Sequence, residues 1–100
     1  MNLIHTRNGN TLNVKVDGKI DTNSAMEFGG QVNDLLDGVN ELNLDFSNVE
    51  YISSLGLRAI LELQKRMLSQ GVMKIINPNQ TVMDVFNMTG FSKILTIENA

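Results

Sequence analysis

Two adjacent serines, Ser53 and Ser54, are the side chains in this sequence best placed to do chemistry, because they stand where a polar connection runs into a helix-patterned stretch. A serine at a helix start can cap the first free backbone N–H groups with its oxygen. It can also accept a phosphoryl group, since those same N–H groups and the positive end of the helix dipole favour an anion there. Arg58 follows Ser54 by one helical turn and is the nearest cation in the sequence. Catalytic alternatives do not assemble. The only histidine, His5, lies in a strand-patterned stretch far from either serine, so no Ser/His/Asp set forms. No glycine-rich phosphate loop with lysine and no nucleophile elbow occurs. With no cysteine and a single histidine there is no pattern for a metal site. The expectation is that this chain is not an enzyme.

The elements that must position these serines can be read from hydrophobic spacing. Upstream, Leu42, Leu44 and Phe46 alternate with Asn43 and Asp45, which predicts a central strand from about Glu41, followed by a polar connection. Downstream, a helix is predicted from about Leu55 to Ser69, with Leu57, Ile60, Leu61, Gln64 and Leu68 inward and a Glu62–Arg66 pair on its surface. Gly71 closes it, and Val72 to Ile76 reads as a strand that should run parallel to the central one. Before the central strand, Leu3 and Ile4, a turn at Asn8-Gly9-Asn10 and the alternating run Thr11 to Asp17 predict a hairpin.

Ser24 with Glu27 has the form of a capping box opening a first helix. In that helix Ala25, Phe28, Val32, Leu35, Leu36 and Val39 share a face, and Gly38 and Asn40 end it. Gly29-Gly30 inside it signals either a close neighbour or a soft helix. A third helix is predicted from Gln80 to Met88, burying Val82, Val85 and Phe86 and stopping at Thr89-Gly90, with a last edge strand within Phe91 to Ile97. Strands that alternate have one wet face, so the helices should lie mainly on one side of the sheet. The expected core joins Leu44, Phe46, Leu57, Ile60, Leu61, Val85 and Phe86, with methionines such as Met67, Met73, Met83 and Met88 as gap fillers.

The run Asp45-Phe46-Ser47-Asn48-Val49-Glu50-Tyr51-Ile52-Ser53-Ser54-Leu55-Gly56-Leu57-Arg58 resembles the signature of STAS-domain proteins, especially bacterial anti-sigma-factor antagonists. Gly18-Lys19-Ile20-Asp21 and Thr89-Gly90-Phe91 are similar to the segments by which that family enters its first helix and closes its last. The resemblance implies a single STAS-like α/β domain over residues 1–100, with a mixed sheet of four or five strands. It implies no catalytic residue and no cofactor. It places Ser54 at the family's phosphorylated serine, with Ser53 as the competing acceptor. Ser53 stands where the family has Asp, and Leu55 where it has a second hydroxyl. The implied partner is an anti-sigma factor with a histidine-kinase-like ATPase fold acting as a serine kinase, whose sigma factor is released on binding. The partner-binding surface would comprise Asp21, Thr22, Asn23 and Ser24 together with Ser53, Ser54, Leu55, Gly56 and Arg58. A second reading is a constitutive STAS subunit of a transporter or signalling assembly, in which Ser54 only caps the helix. Some family members bind nucleotides, but no residue here carries that signal.

Composition narrows the classes further. One hundred residues, 42% of them hydrophobic, make one domain with an aliphatic core, since only five are aromatic. A net charge of -3, with eight basic residues that never cluster, argues against nucleic acid and anionic membrane partners. The absence of cysteine suits a reducing compartment, and no apolar run approaches spanning length, so a cytoplasmic location is expected.

Overall fold

The computed structural model describes residues 1–100. The chain opens with the hairpin β1 (Asn2–Asn8) and β2 (Thr11–Ile20). Their loop is the two residues Gly9-Asn10, and only Gly9 has positive φ (60°), the requirement of a type II′ turn. The strands β3 (Glu41–Ile52), β4 (Val72–Ile76) and β5 (Thr96–Glu98) follow, alternating with the helices α1 (Ala25–Asn33), α2 (Ser54–Leu68) and α3 (Gln80–Thr89). The sheet order is β1-β2-β3-β4-β5, antiparallel at the first pair and parallel at the rest. This is the expected mixed sheet in a single α/β domain.

Side-chain alternation decides which face the helices cover. Leu12, Val14 and Val16 of β2, Leu42, Leu44 and Phe46 of β3, and Met73 and Ile75 of β4 are all buried on one face. Each contributes about 1.5–3 kcal/mol by leaving water. Phe28 of α1 meets Phe46 edge-to-face, ring centroids 6.3 Å apart. The opposite face carries Asn13, Asn43, Lys15, Asp45 and Lys74 and stays wet, with Asn43 Nδ2 donating to Asn13 Oδ1 at 3.0 Å. No helix is long and apolar enough to cross a membrane.

Several expectations are corrected. The central strand does not end in a polar connection after Phe46 but runs on to Ile52, pairing there with β2 alone. The first helix stops at Asn33, well short of Gly38, although Leu36 and Val39 are still fully buried. Its glycine pair is a poor helix former, and acidic Asp34 and Asp37 sit badly at the negative end of a helix. The turn that replaces its last part is held from the end of α2 and the turn after it: Gln70 Nε2 donates to the carbonyls of Leu36 (2.9 Å) and Val39 (2.7 Å), and Arg66 Nη1 to that of Asn33 (2.8 Å).

Gly29 answers the question its sequence posed. A Cβ there would lie 3.2 Å from the Ala59 Cβ, so the glycine lets α1 and α2 come close. The predicted Glu62–Arg66 pair does not form, because Arg66 is drawn to Asp37 at 2.8 Å.

On α2 the buried stripe is Gly56, Leu57, Ile60, Leu63 and Met67, rotated from the predicted one. Leu61 is only half-buried, Gln64 turns aside to donate to the Ile94 carbonyl at 3.2 Å, and Leu68 is 70% exposed. The third helix is as expected, with Val82 and Phe86 buried and Val85 packed against the core. The final strand shrinks to Thr96–Glu98, because Phe91–Lys93 coil into a 3-10 turn whose Phe91 carbonyl accepts from the Ile94 and Leu95 amides. Among the methionines, Met67 and Met73 fill the core as expected, but Met88 is 86% exposed.

Candidate functional site

The site lies beyond the C-terminal ends of β2 and β3. Register shifts between Lys15 and Asp17 and between Gly18 and Lys19 bring Ile20 opposite Ile52. The Ile20 carbonyl then accepts from the Ser53 amide at 2.8 Å, fixing the point at which β3 becomes α2.

Gly56 determines how closely α2 seats on these strand ends. A Cβ on it would lie 2.7 Å from Ile52 Cγ1, 2.8 Å from Ile20 Cγ2 and 3.1 Å from the Ile20 carbonyl oxygen. Only glycine lets the first helical turn rest there.

That seating gives the two serines different work. Ser53 is extended (φ -86°, ψ 172°), only 6% exposed, and its Oγ accepts from the Gly56 amide at 3.1 Å; it is the N-cap. Aspartate is an equally good cap, so serine at this position keeps the helix start intact. Ser54 is the first helical residue, exposed, and its hydroxyl makes no hydrogen bond within the chain. The cap role that the second reading gave Ser54 is therefore corrected, since Ser53 holds it. Leu55 is 46% exposed and points away from the core. Arg58 is exposed and has no ion-pair partner.

Across from this mouth, residues 21–24 form a tight polar turn in place of the predicted capping box. Asp21 Oδ1 accepts from the amides of Asn23 (3.0 Å) and Ser24 (2.9 Å) and lies 3.0 Å from the Ser24 hydroxyl. The Ser24 oxygen accepts from the Asp21 amide at 2.9 Å, and its one proton is within reach of both the Lys19 carbonyl at 2.8 Å and Asp21 Oδ1. It caps no α1 amide, and Glu27 instead accepts from Gln31 at 3.1 Å. The Ser24 amide, then the Ser24 hydroxyl, then the Asn23 amide hold the Asp21 carboxyl below its ordinary value.

The turn and the mouth share a groove of about 460 Å³, lined by Thr22, Ala25 and Met26 on one side and Leu55, Arg58, Ala59 and Glu62 on the other. Of the anticipated residues, Thr22, Leu55 and Arg58 therefore face one another. Ser53 and Gly56 lie beneath the mouth as its support, Asp21 and Ser24 brace the turn, and Asn23 is exposed at its tip. Sequence reasoning missed Met26, which is 87% exposed on the groove rim. The available signal was its place one residue after Ala25, off the buried face of α1.

This geometry can be set beside known proteins. The STAS-domain profile matches residues 2–100. The chain belongs to the STAS-domain family. A putative anti-sigma factor antagonist from Thermotoga maritima is 25% identical and superimposes with a TM-score of 0.91, over 98% of this chain and 86% of that one. An anti-sigma factor antagonist from Mycobacterium paratuberculosis, 18% identical, matches with a TM-score of 0.87 over 97% and 84% of the two chains. The anti-sigma factor antagonist SpoIIAA in its unphosphorylated form, 16% identical, matches with a TM-score of 0.86 over 99% and 88%. The last two likenesses establish the STAS fold. No curated protein matches the sequence.

Proposed function

We propose that this STAS domain is an anti-sigma-factor antagonist that docks the α2 mouth and the 21–24 turn onto an anti-sigma factor, a serine kinase with a histidine-kinase-like ATPase fold, and so regulates transcription from the cytoplasm. Its switch is phosphorylation of Ser54. The observation that carries this reading is the division of labour between the serines. Ser54 offers an exposed, unbonded hydroxyl at the first helical position, while the Ser53 oxygen is buried and engaged with the Gly56 amide. Phosphorylating Ser53 would require unseating the helix start; phosphorylating Ser54 would not.

The consequences follow from electrostatics. A phosphate of charge about -1.5 to -2 on Ser54 meets the free N–H groups and the positive dipole end of α2, and Arg58 is near enough in sequence to help balance it. The fold tolerates the modification. In a desolvated interface without a matching cation the same charge costs several kcal/mol, and every 1.4 kcal/mol is a tenfold loss of affinity.

The test begins with the anti-sigma factor that co-purifies with this chain, incubated with it and ATP. Mass spectrometry should find phosphate on Ser54, and Ser54→Ala should bind but remain unmodified. Ser54→Asp should weaken binding while leaving the melting temperature nearly unchanged. Phosphate on Ser53 alone would overturn the assignment. No phosphate on either serine would favour the constitutive interaction module.

A further inference from the structure

The outer edge of β1 is open along its whole length. The strand ends the sheet, and six of its seven residues, all but Leu3, are exposed. On the helix side Leu3 packs partly against the core, and with His5 it borders a hollow of about 310 Å³ shared with Gln31, Asp34 and Leu35 of α1 and the turn after it. Proteins usually blunt such an edge with proline, lysine, a bulge or a very short strand. β5 at the other edge is short, with three residues. β1 has none of these devices: no proline, no lysine, and an unbroken register with β2 from Asn2↔Asp17 to Asn8↔Thr11. Its one charged side chain, Arg7, is tied back, with Nε donating to the Gly9 carbonyl and Nη1 to that of Asp37, both at 3.0 Å.

The hairpin fixes which backbone groups face outward. A two-residue II′ loop closes on a pair that exchanges both hydrogen bonds, here Asn8 and Thr11, and antiparallel partners then alternate. Asn2, Ile4, Thr6 and Asn8 thus bond to β2, while Leu3, His5 and Arg7 present their N–H and C=O groups to the open edge.

We infer that β1 is the pairing edge for a second copy of this chain, antiparallel about a two-fold axis at His5, so that two five-stranded sheets join into one of ten. The strand is complementary to itself in that register. His5 pairs with His5 of the other copy, and Leu3 with its Arg7, giving about six backbone hydrogen bonds. On the wet face Ile4, 64% exposed, lies beside the other copy's Thr6 and diagonal to its Ile4, while the terminal Asn2 and Asn8 face one another. Arg7, the strand's one charged side chain, falls opposite Leu3 and not opposite itself. Joining through one strand each buries less than a standard interface, so the dimer is weak, with a dissociation constant of roughly ten to several hundred micromolar. Because the β1 strands run antiparallel, the two α2 mouths point to opposite ends of the joined sheet, and each remains free. This inference does not rest on the proposed switch.

Sedimentation of the purified chain from about 5 to 500 µM should show concentration-dependent dimerisation in that range. His5→Pro removes only an outward-facing donor and should give a monomer with a near-normal melting temperature, since an edge strand tolerates proline there. Thr6→Pro, which removes a donor bonded to β2, should instead destabilise the fold. Hydrogen exchange on the unmutated chain is independent of how well either variant folds. The amides of Leu3, His5 and Arg7 should become protected as concentration rises and lose that protection on dilution. A monomer across the whole range, or a dimer that leaves these three amides exchanging freely, would overturn the inference.

Discussion

Replacing Gly56 with alanine tests the seating of the site most directly. The added methyl would stand 2.7 and 2.8 Å from carbons of Ile52 and Ile20, about 1 Å inside the usual 3.5–4.0 Å contact between carbons. Both isoleucines are essentially fully buried, and the Ile20 carbonyl at 3.1 Å is backbone, so the obstruction cannot swing away into solvent. Forcing such a contact costs about 1–3 kcal/mol, either in off-rotamer isoleucines or in lifting α2 from the strand ends. Against this, glycine to alanine within a helix returns up to about 1 kcal/mol, less in the first turn where Gly56 sits. The net expectation is a loss of about 1–2 kcal/mol, or roughly 4–16 °C in melting temperature for a domain of this size. Urea denaturation followed by circular dichroism should show a lower midpoint with an unchanged slope. Lifting the helix also moves Ser54, its first residue, so the phosphorylation proposed above should slow in the same variant. A midpoint equal to or above that of the unmutated chain would refute the close packing of α2 on β2 and β3.

Two further outcomes follow from the same geometry. Leu63→Ala should cost about 2–5 kcal/mol because the side chain is 2% exposed, whereas Leu61→Ala, at a half-buried position, should cost clearly less; equal midpoints in urea would show that the α2 stripe is wrongly oriented. Asp21, its folded pKa lowered chiefly by the Ser24 amide and hydroxyl, contributes stability that is fully present above the ordinary value of 3.8 and lost as pH falls through the lowered one. Asp21→Asn should therefore be the less stable form at pH 7, and the difference should shrink on acidification below about pH 4; a gap that holds constant down to pH 2 would sink this account of the turn.

The alternating parts of β2 and β3 were written in the sequence because alternation has a period of two and needs no partner to be recognised, whereas the end of β3 and the extent of β5 were not. Leu12, Val14 and Val16 against Leu42, Leu44 and Phe46 gave the covered face of the sheet, its wet face and, with the following helix, the parallel crossover. The helix start near residues 53–55 was equally legible, since serine is a preferred cap there. What stayed hidden depends on contacts between distant segments. Leu57 and Ile60 read as inward and are buried, but the sequence spacing continues the stripe through Leu61 and Leu68 where the structure continues it through Leu63 and Met67, and a helix with apolar residues on more than one side cannot choose by itself. The choice fell to Gly56, which meets Ile20 from 36 positions earlier and sets the rotation of everything after it. The first helix looked longer than it is because Leu36 and Val39 are buried from a turn, held there by Arg66 of another helix and Gln70 just beyond it. Neighbouring serines are chemically identical in sequence, and only the packing of the helix mouth onto β2 and β3 makes Ser53 a buried cap and leaves the Ser54 hydroxyl exposed and unbonded.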